Sequence, residues 1–158
     1  IDWMIKNNIN DFPSNAFVIF LPGSSPKHKH KRWPAENFAK LAIILKEKNI
    51  DTVILGQSSS EGEEIKKIKS LSPSTIDYSD KDLSFLATFA SNAIGAIAND
   101  TGPTFIVAAV GCPVTWLLSS HTNPKITQLV GSKVNMLKKE DIREISVEEV
   151  KNNLALRH

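Results

Sequence analysis

Short apolar runs that alternate with helical patterns constrain this sequence more than any other feature. Most runs have apolar, β-prone residues at consecutive positions, as expected for strands that are covered on both faces. Segments with apolar residues at helical spacing follow them. Strands and helices that alternate in this way predict a doubly wound parallel α/β sheet. The predicted strands are 16–21, 52–55, 75–78, 94–98, 113–118 and a short one at 133–137, and the predicted helices are 34–48, 61–70, 83–90, 104–110 and 147–156.

Capping residues mark the starts of several predicted helices. Pro34 opens the first helix, and either Asp80 or Asp82 can cap the third. Ser146 followed by Glu149 is typical of a capping box, in which each residue bonds to the backbone of the other. These residues fix where the helices begin more firmly than where they end.

The composition is that of one soluble globular domain over residues 1–158, with 41% apolar and 23% charged residues. A net charge of +2 gives no strong case for a nucleic-acid or membrane partner, and no apolar run is long enough to span a bilayer. The single cysteine, Cys112, excludes an internal disulfide and is interpreted as a buried structural thiol rather than a nucleophile. Because the first residue is Ile1, we expect a piece of a longer protein.

A basic loop follows the first predicted strand. In a doubly wound sheet, ligands bind in the loops after the strands, here 22–33, 56–61, 99–103 and 119–124. The first of these loops suits a diphosphate, although a solvated loop explains the same charges, and only Lys31 is favoured as a ligand contact. Two histidines in this loop are too few ligands for zinc, so no metal site is predicted. The charged and histidine residues are Lys27, His28, Lys29, His30, Lys31 and Arg32.

The turn at 99–103 joins an apolar strand to a helix. Thr101 can cap that helix, Gly102 allows a ligand close to the backbone, and Pro103 suits the first helical turn. The helix N-terminus would then face the crevice and favour an anion, but from this stretch alone a capped turn with no ligand is the favoured interpretation. Glu61 can likewise accept ribose hydroxyls or simply charge the start of its own helix. P-loop, dinucleotide-binding and nucleophile-elbow motifs are absent.

Taken together, several short motifs resemble the heptosyltransferase-like glycosyltransferases that build the inner core of lipopolysaccharide. The resemblance runs from about residue 16 to 118, and its most specific part is a Lys-x-Trp-Pro motif followed by an Asp-Thr-Gly-Pro motif. Members of this family have two Rossmann-like halves in the GT-B arrangement, and this chain is similar to the C-terminal, donor-binding half alone. The matching segments are 21–25, 31–34, Phe38, Gly56 with Glu61, 99–103 and 111–114.

The resemblance implies a binding site for a nucleotide-sugar donor such as ADP-heptose. Lys31 would contact the diphosphate and Glu61 the ribose. Three residues of the 99–103 turn would hold the phosphates and sugar, with Ser24 nearby. The implied donor-site residues are Ser24, Lys31, Glu61, Asp100, Thr101 and Gly102.

The resemblance also implies the reaction of the intact protein. It would be an inverting enzyme that uses no metal or other cofactor and transfers sugar to a lipid-linked glycan acceptor. The acid–base aspartate and the acceptor site belong to the N-terminal half, so no catalytic residue is assigned in this chain, which would bind without catalysing. The full protein would act in the bacterial cytoplasm, with peripheral contact at the inner membrane left open.

One position departs from the family pattern. Phe105 stands where the family usually has histidine, and a phenyl ring cannot donate a hydrogen bond to phosphate. A lost donor to a charged group costs about 1.5–3 kcal/mol. The donor differs, or His121 substitutes, or the chain is a non-catalytic nucleotide-binding or scaffold module. A nucleic-acid contact through the basic loop is the least favoured alternative.

Overall fold

The computed structural model describes residues 12–23, 32–99, 101–119 and 133–157, which form six strands and five α-helices. A single turn of 3-10 helix at Ile142–Glu144 precedes the last helix. The strands are β1 Phe17–Leu21, β2 Asp51–Ile54, β3 Ile76–Asp77, β4 Gly95–Ala98, β5 Val114–Ser119 and β6 Val134–Lys139, and the helices are α1 Ala35–Glu47, α2 Ser58–Leu71, α3 Leu83–Asn92, α4 Gly102–Ala109 and α5 Val147–Asn152.

All six strands pair in parallel in the order β3-β2-β1-β4-β5-β6. The prediction of a doubly wound parallel sheet is confirmed. The chain moves outward from β1 to β3 on one side and from β4 to β6 on the other. The loops after β1 and β4 therefore flank the switch point of the sheet, where a crevice opens at the carboxyl ends of the strands.

Two helical layers cover the sheet and explain why its central strands are apolar at consecutive positions. All five residues of β1 are buried. Ile19 packs in a core with α3 and α4, whereas its neighbour Phe20 packs on the other face with α1 and α2. Successive side chains of a strand point to opposite faces, so a strand between two layers has no solvent-facing position. No helix within the described ranges is long and apolar enough to cross a membrane.

Helix α2 begins three residues before the predicted start. The Ser58 amide and hydroxyl both donate to the carboxylate of Asp80, which thereby supplies an acceptor at the N-terminus of α2. These bonds also hold the pKa of Asp80 below its usual value. Of the two predicted caps for α3, Asp82 is therefore the correct one, with its Oδ1 accepting from the Phe85 amide at 2.8 Å.

The C-terminal end differs most from the prediction. The Ser146–Glu149 capping box is confirmed, but α5 ends at Asn152 rather than near residue 156. Beyond it the chain is neither helix nor strand and passes the amino ends of β4 and β5, where the Ala155 amide donates to Thr115 Oγ1 at 3.0 Å and the Arg157 amide to the Ile94 carbonyl at 2.7 Å. These contacts to distant residues replace the hydrogen bonds of the predicted last turns.

Candidate functional site

The ends of β1 and β4 lie side by side at the switch point. Leu21 pairs with Ala98, and the next amide, that of Asn99, donates to the Leu21 carbonyl at 3.2 Å. Pro22 and Gly23 leave the sheet directly beside Asn99. This edge of the sheet is where the fold predicts a ligand.

Asn99 joins the two loops through its side chain. It is completely buried, its Oδ1 accepts from the Trp33 amide at 3.2 Å, and its Nδ2 donates to the Pro22 carbonyl at 2.8 Å. The Asn99 carbonyl also accepts from Thr104 Oγ1 on α4 at 2.9 Å. Asn99 was assigned no role from the sequence. The only local indication was an amide residue directly after an apolar strand.

Glu61 lies in a notch between two glycines that follow β1 and β2. Its carboxylate packs against Gly23, where a β-carbon would overlap it, and against Gly56, where a β-carbon would lie 2.9 Å from Oε1. The Gln57 amide at 3.4 Å and the Ser60 hydroxyl donate to the same carboxylate. Glu61 is only 8% exposed, so these neighbours fix its direction.

Arg32 and Trp33 anchor the C-terminal end of the basic loop. Arg32 was counted with the cations of this loop, but its buried guanidinium pairs with Glu64 on α2 at 2.8 Å. The Trp33 ring is buried, and its Nε1 donates to the Ile145 carbonyl at 2.8 Å. Arg32 therefore has a carboxylate partner within the domain and is not an unpaired cation at this edge of the sheet.

The turn before α4 is only partly as predicted. Thr101 is the N-cap residue, but its side chain makes no capping hydrogen bond, so the predicted side-chain cap is wrong. Its extended backbone places the Thr101 carbonyl within reach of the Thr104 amide at 3.1 Å. Pro103 lies in the first turn, as predicted. Gly102 is exposed, and a β-carbon there would meet none of the described atoms within 4 Å, so this backbone is open to the crevice.

A small, mostly apolar pocket of about 40 Å³ lies next to Glu61, between the ends of β2 and β3 and the start of α4. Gly56 and Gln57 border both the pocket and the Glu61 carboxylate. Lys81 stands at its rim, with Nζ 5.5 Å from the centre of the Phe85 ring. The pocket is lined by Leu55, Gly56, Gln57, Tyr78, Lys81, Asp82, Leu83, Leu86 and Pro103.

Cys112 is buried at the opposite end of the sheet, just before β5. Burial raises the pKa of its thiol to about 12. The interpretation of Cys112 as a structural thiol is confirmed, since a neutral buried thiol is a poor nucleophile.

Several predicted site residues lie outside the described ranges, namely Ser24, Lys31, Asp100 and His121, together with the other charged and histidine residues at 27–30. Within the described ranges, no group of His, Cys, Asp and Glu side chains is arranged to hold a metal ion. Of the predicted set, Glu61, Thr101 and Gly102 lie within the described ranges, and each follows a strand at the carboxyl edge that also contains Asn99.

The fold matches that of solved GT-B heptosyltransferases. The domain superposes on E. coli ADP-heptose lipopolysaccharide heptosyltransferase II with a TM-score of 0.81 and 18% identity, over 90% of this chain and 46% of that one. It superposes on E. coli heptosyltransferase WaaC with ADP with a TM-score of 0.79 and 19% identity, over 90% of this chain and 45% of that one. For a family 9 glycosyltransferase from Veillonella parvula the TM-score is 0.79 and the identity 22%, over 88% of this chain and 44% of that one. The chain spans less than half the length of these structures. No curated protein sequence matches it.

The sequence itself gives the more specific assignment. The model of glycosyltransferase family 9, described as heptosyltransferase, matches residues 5–155. The chain belongs to this family.

Proposed function

We propose that this chain is the donor-binding half of an inverting family 9 glycosyltransferase and that it binds a nucleoside diphosphate sugar between β1 and β4. The observation that carries the proposal is the Glu61 carboxylate, fixed between Gly23 and Gly56 beside a small apolar pocket. A buried carboxylate with a fixed direction suits the two adjacent hydroxyls of a ribose, since each hydroxyl can donate to it.

The rest of the donor extends from this point in two directions. The base would lie over the opening of the pocket beside Glu61, near apolar side chains such as Leu55 and Leu86, because the pocket is smaller than a base. The diphosphate would extend toward the N-terminus of α4, where the exposed Gly102 backbone leaves room for it and the helix dipole favours negative charge. The family resemblance adds Lys31, Asp100 and Ser24 to these contacts.

In the intact protein this half would bind the leaving group. An acceptor hydroxyl attacks the anomeric carbon, the bond from that carbon to the diphosphate oxygen breaks, and a base in the other half takes the hydroxyl proton. Negative charge grows on the departing diphosphate, and Lys31 with the Thr101–Gly102 backbone would stabilise it. WaaC has been solved with ADP and with ADP-2-deoxy-2-fluoro heptose, which favours an ADP-heptose-like donor here. The acceptor would be a lipid-linked glycan of lipopolysaccharide or a related surface glycan.

Calorimetric titration of the chain with ADP, UDP and GDP at two salt concentrations tests this proposal. We expect one nucleotide to bind in the micromolar range, and Lys31→Ala or Asp100→Ala to abolish binding. Glu61→Gln should weaken it about tenfold, because a neutral amide is a poorer acceptor than a carboxylate. Glu63→Gln is the matched control, since Glu63 lies on the same helix but is exposed. Absence of binding by all three nucleotides at millimolar concentration would contradict the proposal.

Phe105 supports a second candidate, a nucleotide-binding or scaffold module that has lost the chemistry. Phe105 lies half-buried in the first turn of α4, at the position where the family usually has a histidine. Thermal stabilisation by the nucleotide that is lost in Lys31→Ala would argue against a scaffold role. Binding to nucleic acid that falls steeply with salt would instead favour the basic loop as its contact.

A further inference from the structure

Asn99 is connected to more parts of the candidate site than any of the described residues assigned to it from the sequence. All four of its hydrogen-bonding positions have partners: its amide bonds to Leu21 and its carbonyl to Thr104, while its side chain bonds to Pro22 and Trp33. The orientation of the side-chain amide is fixed, because an N–H of Trp33 can only donate and a carbonyl of Pro22 can only accept. A side chain without both a donor and an acceptor cannot make this pair of bonds.

These bonds fix both ends of the basic loop to one side chain. The chain leaves the sheet at Pro22 and returns at Trp33, and Asn99 holds both positions. Other contacts strengthen the same two ends, since Glu61 packs on Gly23 and Glu64 pairs with Arg32. Pro22 and Trp33, which lie on either side of the charged residues in sequence, are therefore held at set positions relative to the end of β4.

The same residue also fixes the start of α4. Thr104 Oγ1 donates to the Asn99 carbonyl at 2.9 Å, and both groups are completely buried. Thr104 is on the first turn of α4, two residues after the open Gly102 backbone. Asn99 thus stands between the two elements that the proposed function assigns to the diphosphate.

We propose that Asn99 is a positioning residue, which holds the two ends of the basic loop and the N-terminus of α4 at the spacing that one diphosphate bridges. This inference rests on the proposed function and adds a residue that acts through the ligand-binding groups rather than by touching the ligand. A preorganised site loses less entropy on binding, so loss of this amide should weaken binding of the diphosphate even though no ligand contact is removed.

The test compares a nucleoside diphosphate with its nucleoside. Asn99→Ala should bind the preferred nucleotide, ADP in the first instance, about tenfold more weakly than the original chain, and bind adenosine with unchanged affinity. Calorimetry measures the first value and NMR titration the second. Thr115→Val is the matched control, because it removes the buried bond that the Ala155 amide donates to Thr115 Oγ1, away from the crevice. It should lower stability without changing the affinity for ADP.

Different results separate the inference from the proposed function. If the original chain binds none of the nucleotides, the proposed function fails and the inference fails with it. If the original chain binds ADP and Asn99→Ala binds it equally well, only the inference is overturned. An equal loss for ADP and adenosine would mean that Asn99 maintains the fold and positions nothing.

Two further measurements keep the inference testable if Asn99→Ala does not fold. Asn99→Ser retains a small polar group and leaves space for water, and the same selective loss of ADP affinity is expected. In the original chain, ADP should slow hydrogen exchange of the Trp33 amide, whereas adenosine should not, because only the diphosphate bridges the elements that Asn99 holds. Equal exchange with and without ADP would overturn the inference.

Discussion

At the scale of single residues, the Glu61 carboxylate occupies the space that a side chain at position 23 would need, which explains the glycine there. A β-carbon at this position would overlap the Glu61 carboxylate, which is already held by the Gln57 amide and by Gly56. A small side chain at 23 therefore has to displace the group that we assign to the ribose. Steric exclusion of this kind links the packing of the crevice to its chemistry.

Gly23→Ala should lower the free energy of unfolding by about 1–3 kcal/mol, the usual cost of overpacking. It should also weaken nucleotide binding, because Glu61 has to move. Urea unfolding and calorimetric titration measure the two effects. Gly102→Ala is the control for the first, since its β-carbon would meet no described atom and its stability should not fall. A Gly23→Ala chain with unchanged stability and affinity would contradict this account of the notch.

Phe105→His tests the departure from the family pattern. A histidine at this position of the first turn of α4 restores a donor for the phosphates, and we expect it to raise the affinity for the nucleotide about tenfold. Calorimetric titration of both chains with ADP measures the change, and Phe105→Leu serves as the control for loss of the ring alone. No gain in Phe105→His would favour a different donor or a different phosphate contact at this position.

Cys112 gives the clearest expectation for pH dependence. Burial raises the pKa of its thiol from 9.0 to about 12, so the thiol is neutral in the folded chain but ionises near pH 9 in the unfolded chain. Between these values the unfolded state binds fewer protons, and stability falls as the pH rises. Relative to Cys112→Ala, the free energy of unfolding should fall by about 1.4 kcal/mol per pH unit above pH 9. Urea unfolding between pH 8.5 and 10.5 measures this difference, and parallel curves for the two chains would contradict it.

The limits of sequence reasoning are clear at this scale. Glu61 was assigned to the crevice because it follows a predicted strand, which is a local property. Asn99 was missed because its side-chain partners, Pro22 and Trp33, are 77 and 66 residues away. Thr101 was given a side-chain cap because threonine is a common N-cap residue, whereas its side chain makes no such bond. A residue type indicates which bonds are available, and only the fold decides which are made.

At the scale of secondary-structure elements, the predictions held where burial acts on a whole segment. Strands β1, β4 and β5 were found within one residue of their predicted ends because both of their faces are covered. The predictions failed where a distant residue sets an end. Asp80 accepts a hydrogen bond from the Ser58 amide, so α2 begins earlier than predicted. Hydrogen bonds to Thr115 and Ile94 keep residues 155–157 from continuing α5.

The C-terminal residues after α5 also cap the end of α3. Arg157 Nε donates to the Ala93 carbonyl at 2.7 Å and its Nη2 to the Ala90 carbonyl at 3.2 Å, so a cation binds the free carbonyls at the end of α3. Arg157→Ala should lower the free energy of unfolding by about 1 kcal/mol, and Arg157→Lys should recover part of it. Chemical denaturation measures the loss. Arg143→Ala is the control, because Arg143 is exposed and pairs only locally with Asp141 among the described residues. Equal stability of the Arg157→Ala chain and the original would contradict this role.

At the scale of the whole molecule, the proposed function separates binding from transfer. The chain spans less than half the length of the heptosyltransferases that it superposes on, and the proposed donor site lies at one edge of its single sheet. Neither helical layer interrupts that edge in the described residues. A ligand that binds there stabilises the folded chain by mass action, whether or not a reaction follows.

We therefore expect the chain to be stabilised by the donor nucleotide and to transfer no sugar. At a nucleotide concentration a hundredfold above Kd, binding contributes about 2.7 kcal/mol, which for a chain of this size raises Tm by about 5–10 °C. Scanning calorimetry with ADP measures the shift, and Glu61→Gln, which binds more weakly, should show a smaller one at the same concentration. Release of ADP from ADP-heptose in the presence of a lipopolysaccharide acceptor measures transfer, and none is expected because the base is assigned to the other half. Transfer by this chain would show that residues 1–158 hold a complete active site, whereas a Tm unaffected by any nucleotide would favour the scaffold module.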